Sequence, residues 1–84
     1  MTSMVNNSKG LGRRQKFILK NLGSVPFNTP SGLSQAFYGK TDPNHRKMIW
    51  RSLQNLRGRG FVYVIEGRYS LTVEGSNLVS SLQQ

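Results

Sequence analysis

Apolar positions recur at helical spacing in residues 11–22. Leu11, Ile18, Leu19 and Leu22, with Gln15 between them, form one stripe, while Arg13, Lys16 and Lys20 fall elsewhere. This predicts a first helix with Gly23 as its stop and Phe17 off the main stripe, packed on a neighbouring element. Residues 24–28 are a connector in which Val25 and Phe27 can turn inward around Pro26, and a short extended segment fits there. Thr29-Pro30 is a cap followed by a proline, the start signal of a short helix over 30–38 with Leu33, Ala36 and Phe37 inward. Gly32 weakens that helix by about 1 kcal/mol relative to alanine, and Gly39 ends it.

Asp42-Pro43 repeats the start signal and opens the longest patterned stretch, residues 42–60. Gly58 and Gly60 suit a left-handed turn at its end. With Ile49 placed at zero and about 100° per residue, Ser52, Leu53 and Leu56 share its side. Lys47, Arg51 and Gln54 fall opposite, with Asn44 and Asn55 near them. Phe61 to Ile65 is a β-branched and aromatic run, broken by Glu66-Gly67 and followed by alternation from Arg68 to Val73. This pattern predicts a β-hairpin in which Tyr69, Leu71 and Val73 share a face. The first run is apolar on both sides, so alternation does not choose its inner face. Thr72 and Glu74 suit the start of a last helix with Leu78, Val79 and Leu82 as its stripe.

Charge changes the meaning of the 42–60 stretch. The 84 residues carry 12 Lys and Arg against 3 Asp and Glu, a net charge of +9. No acid lies between Asp42 and Glu66, whereas a helix tuned for solubility mixes both signs. The imbalance points to a polyanionic partner. There is no cysteine, which excludes disulfides, thiolate zinc sites and a thiol nucleophile. Three acids and one histidine leave few general acids or bases, so no enzyme activity is expected. No cofactor, metal or small-molecule ligand is implied, since a lone His45 is no metal site. No apolar run is long enough to span a bilayer, and residues 1–10 read as a flexible polar tail without the apolar segment of a secretory signal. A cytoplasmic protein is expected, associated with the nucleoid if prokaryotic.

The order of these elements resembles the winged helix-turn-helix domains of DNA-binding regulators. The local likeness lies in Leu53 and Leu56, Gly60, Phe61-Val62, and the closing Tyr69, Leu71, Thr72 and Gly75. It covers residues 11–82 and rests mostly on core and turn positions, so it speaks to fold more than function. The resemblance implies an α+β fold over residues 11–84, with a three-helix core, a C-terminal β-hairpin wing and a short last helix. It makes helix 42–57 the recognition helix in the major groove, helix 30–38 its support and Glu66-Gly67-Arg68 the wing tip. Glu66 departs from this role, because an acid at the tip repels phosphates.

The expected function is sequence-specific binding of double-stranded DNA by a small transcriptional or replicon-level regulator. Arg51, Gln54 and Lys47 are the expected base-edge readers, because Arg pairs with guanine and Gln or Asn with adenine through two hydrogen bonds. Asn44 stands in the first turn, which enters the groove deepest. Arg46 stands on its flank, and Lys40, Arg13, Arg14, Arg57, Arg59 and Arg68 are phosphate candidates. His45 is read as a capping or core residue. Trp50, on the flank between core and solvent, can stack on a sugar or pack against the wing, and packing is the preferred reading because a small core needs large residues. A homodimer through the first or last helix is compatible with two half-sites. The alternative is a winged helix that binds protein or structured RNA. An exposed Trp50 or Tyr63 tilts toward a protein partner or dimer, and a basic outer face on helix 42–57 toward nucleic acid.

Overall fold

Side-chain oxygens just ahead of the second, third and fourth helices, at Thr29, Asp42 and Thr72, set where the chain begins to coil. The computed structural model describes residues 10–82. The expected loose tail over residues 1–9, Lys9 included, and the expected fraying of Gln83 and Gln84 lie outside the described residues. Helix α1 spans Arg13–Ser24, α2 Pro30–Tyr38 and α3 Pro43–Gly58. Strands β1 (Val62–Ile65) and β2 (Arg68–Leu71) form an antiparallel hairpin, and α4 spans Val73–Leu82. The fold is α+β: four helices, with the hairpin between the third and fourth.

Gln15 Oε1 accepts from the Gly12 N–H at 2.9 Å, and Gly12 is extended. Helix α1 therefore starts two residues later than the periodicity suggests, although Leu11 is buried. Nor does Gly23 stop it. The helix runs through Gly23, which lies beside Val79 and Leu71 at a distance where even a Cβ would make ordinary contact. Thr29 Oγ1 accepts from Gly32 N–H at 3.0 Å to cap α2, and Gly39 closes that helix with φ +70°. Gly32 has a packing reason, because a Cβ there would collide with the Asn28 side chain. Gly58 remains helical, and the left-handed residue after α3 is Gly60, with Phe61 N–H bonded to Leu56 O at 3.0 Å.

Ile18, Leu19, Leu22, Leu33, Ile49, Leu53 and Leu56 form the center of the core, joined by Leu11, Val62, Tyr69, Leu78 and Val79. Two inward assignments fail. Ala36 of α2 is exposed and Ser34 is buried instead, donating to the Lys40 carbonyl just past the helix end. Val25 and Phe27 are exposed, because Phe27 adopts φ +61° and the chain turns outward before Asn28. The extended segment is reduced to one residue. Asn28 pairs with Tyr69 through bonds of 3.0 and 2.7 Å. Phe17 packs on Phe37 at 4.9 Å between ring centers, and Tyr38 continues the row to His45.

The hairpin aligns Val62 with Leu71 and Val64 with Tyr69, which turns that face inward, while Tyr63 and Ile65 are exposed. Its turn is Glu66-Gly67, both with positive φ, as a two-residue type I′ turn requires. Strand β2 ends at Leu71, so Val73 does not share the Tyr69 face. It opens α4 and is 74% exposed. Thr72 Oγ1 donates to Gly60 O at 2.6 Å and accepts from Gly75 N–H at 3.0 Å. One hydroxyl thus caps α4 and ties it to the end of α3. Among the described residues no helix is long and apolar enough to cross a membrane.

Gly75 is buried where a Cβ would collide with the Phe61 carbonyl oxygen, the acceptor of the Thr72 N–H. Gly75→Ala is expected to destabilise the fold by about 1–3 kcal/mol, the usual cost of overpacking, read by chemical denaturation.

Candidate nucleic-acid interface

Helix α3 separates into two faces because Ile49, Ser52, Leu53 and Leu56 are buried together. The opposite side exposes Asn44, Lys47 and Arg51, with Arg46 and Trp50 on one flank. Pro43, Arg46, Lys47 and Trp50 form one wall of a shallow cleft of about 340 Å³, and Thr29, Pro30 and Ser31 at the start of α2 form the other. Four of the expected site residues, Asn44, Arg46, Lys47 and Arg51, therefore lie on one exposed helix surface. Trp50, read from the sequence as packing, is 49% exposed among them.

The start of this surface is held by Asp42. Its carboxylate accepts from the His45 backbone N–H at 3.4 Å and meets His45 Nδ1 at 2.6 Å. Partial desolvation pushes the Asp42 carboxyl up. The hydrogen bonds with the His45 side chain and backbone, together with the charge of His45, outweigh it and hold the group below its ordinary value. His45 is half-buried, its ring 4.7 Å from that of Tyr38, so it serves the helix start.

The remaining candidates are dispersed. Arg14 is half-buried between three helices: Nε donates to Ser52 Oγ at 2.7 Å and Nη1 to the Tyr38 hydroxyl at 3.0 Å. A side chain fixed this way braces α1 against α2 and α3, whereas its neighbor Arg13 is exposed. Gln54 is half-buried, and its Nε2 donates to the Tyr69 hydroxyl at 2.9 Å, which turns its amide toward the hairpin. Asn55 accepts from Gln15 Nε2 at 2.9 Å. Lys40 is exposed in the turn between α2 and α3. Arg68 is exposed on the hairpin, with Nη1 3.4 Å from the Phe27 carbonyl it donates to. Arg57 is exposed, while Arg59 lies 5.4 Å from the center of the Phe61 ring and donates to Gly10 O at 3.3 Å.

Sequence reasoning ranked packing above a sugar contact for Trp50 and missed the wall of the cleft at Thr29, Pro30 and Ser31. A helical wheel places Trp50 between the apolar and polar sides, and only the position of α2 leaves that flank open. Among the described residues no group of three or more His, Cys, Asp or Glu is placed to hold a metal ion.

Two outcomes follow for stability. Arg14→Ala is expected to cost about 1.5–3 kcal/mol, the range for hydrogen bonds from a charged group. A melt unchanged from wild type, with weaker DNA binding, would instead make Arg14 a phosphate contact. For Asp42, a lowered folded-state pKa means that its contribution is present above the ordinary carboxylate pKa and is lost as pH falls through the folded value. Asp42→Ala should therefore melt lower than wild type at neutral pH, and the gap should close as the pH falls below the ordinary carboxylate range in circular-dichroism melts.

Comparison with protein-family models, curated proteins and solved structures finds no match to this chain.

Proposed function

We propose that this chain is a winged helix-turn-helix domain that binds double-stranded DNA and acts as a regulator by occupancy, without catalysis or a cofactor. In this reading α3 enters the major groove, α2 supports it and the β1–β2 hairpin is the wing. The observation that carries it is the exposed face of α3. Asn44, Lys47 and Arg51 project from it, Arg46 flanks it, and no acid occurs between Asp42 and Glu66. Arg51 fits a guanine edge, and Asn44 stands in the first helical turn. Gln54, held by Tyr69, is better placed as the support of that face than as a reader. Glu66 at the hairpin turn leaves the wing the weaker half of the surface, with Arg68 as its cation.

A second reading rests on a different surface. Phe27 and Tyr63 are 43% and 37% exposed and meet edge to face at 6.2 Å, with Val25 and Ile65 also exposed. This outer hairpin face suits a protein partner or a second copy of the chain. Trp50 is exposed too, but it stands beside Arg46 and Lys47, on the basic surface.

Duplex affinity is expected to fall steeply with salt, the log–log slope counting the phosphates neutralised at about −0.9 each. A flat plot would overturn the DNA reading. Lys47→Ala should reduce that slope by about 1 if it contacts a phosphate, with a uniform loss across sequences. Arg51→Ala should cost about 1–3 kcal/mol and relax preference at one base pair, measured by selection from random duplexes.

A further inference from the structure

We infer that Trp50 is a DNA-contacting residue, its indole taking the apolar face of a deoxyribose in the strand that crosses the cleft between α2 and α3. This rests on the DNA reading above and adds to it a residue and a part of the nucleotide. The cleft joins two kinds of surface. Trp50 and Pro43 on one wall and Pro30 on the other give it apolar surface, and Arg46 and Lys47 bring two positive charges to the wall of Trp50. A sugar–phosphate strand has the matching chemistry, with an apolar ring between anionic groups. A protein side chain of pure hydrocarbon leaves both cations unused, and a free anion leaves the indole unused.

The position of Trp50 on α3 selects the sugar over a base edge. Taking Ile49 as zero, Trp50 lies about 100° around the helix, whereas Lys47 and Arg51 lie near the middle of the exposed side. Middle residues face the groove floor. A flank residue beside another element faces the wall, where the backbone runs. Trp50 is half exposed and the core closes without it, since the fully buried side chains of α3 are Ile49, Leu53 and Leu56. A large exposed aromatic beside two cations is a poor choice for solubility and a good one for a ligand that is apolar and anionic by turns.

The chain has a single tryptophan, so its fluorescence reports this contact alone. Titration of the full chain with duplex DNA, followed both by indole emission and by anisotropy of labelled DNA, should show the two signals moving together. Trp50→Ala should weaken binding about tenfold, equally on preferred and unrelated duplexes, with the salt slope unchanged because no charge is removed. Trp50→Phe should recover most of the loss. Replacing thymine by uracil in the duplex should leave the effect of Trp50→Ala unaltered, since a sugar contact does not involve the thymine methyl. Unchanged affinity in Trp50→Ala, a loss confined to one sequence, or a loss that disappears with uracil would overturn the inference while duplex binding itself stands. Absence of any duplex binding by the wild-type chain would remove both. Should Trp50→Ala fail to fold, wild-type emission that stays constant through DNA saturation is the overturning result.

Discussion

Burial of Ile49, Leu53 and Leu56 is the constraint on which the rest of the molecule depends. These three side chains are fully withdrawn from water, and α1, α2 and β1 all pack on the helix that carries them. Each is worth about 1.5–3 kcal/mol when buried. Their joint burial fixes how α3 is rotated about its axis. Once that angle is set, Lys47 and Arg51 have no direction left but outward. The basic surface is thus a consequence of the core, and any loss of core packing would let α3 turn and scatter its cations.

Polar ties then hold the packed elements at fixed distances. Arg14 spans α1, α2 and α3 through Ser52 and Tyr38, and Gln54 connects α3 with the hairpin through Tyr69. Asn28 is a second junction. Its side chain bonds Asn21 at the end of α1 and the Thr29 N–H at the start of α2, and its backbone pairs with Tyr69. Gly32 has no side chain because Asn28 needs that space. A cation count therefore overstates what a polyanion can reach. Arg14 belongs to the scaffold, and the cations offered on α3 are Arg46, Lys47, Arg51 and Arg57.

The element starts were legible in the chain. Thr29-Pro30 and Asp42-Pro43 begin helices for local reasons, since a side-chain oxygen caps and a proline has no donor to lose. Glu66-Gly67 makes the hairpin turn for an equally local reason, two positive φ angles in sequence. Where the signal was local but the outcome was not, the reading failed. Gly23 looked like a stop, yet α1 runs through it to Ser24, beside Val79 and Leu71 from 48 and more residues away. Val25 and Phe27 looked like core, yet the pairing of Asn28 with Tyr69 turns the preceding residues outward.

The sequence by itself determined the two faces of α3, its polarity and its lack of acids, because helical angle and residue type need no neighbor to be known. It also determined the hairpin turn and the caps of α2 and α3. Tertiary structure alone decided which cations are spent on bracing, which side of Val62 to Ile65 turns inward, and that Trp50 stays open beside the start of α2. Burial is a property of what another element covers, and no periodicity along one strand or helix records the position of the next.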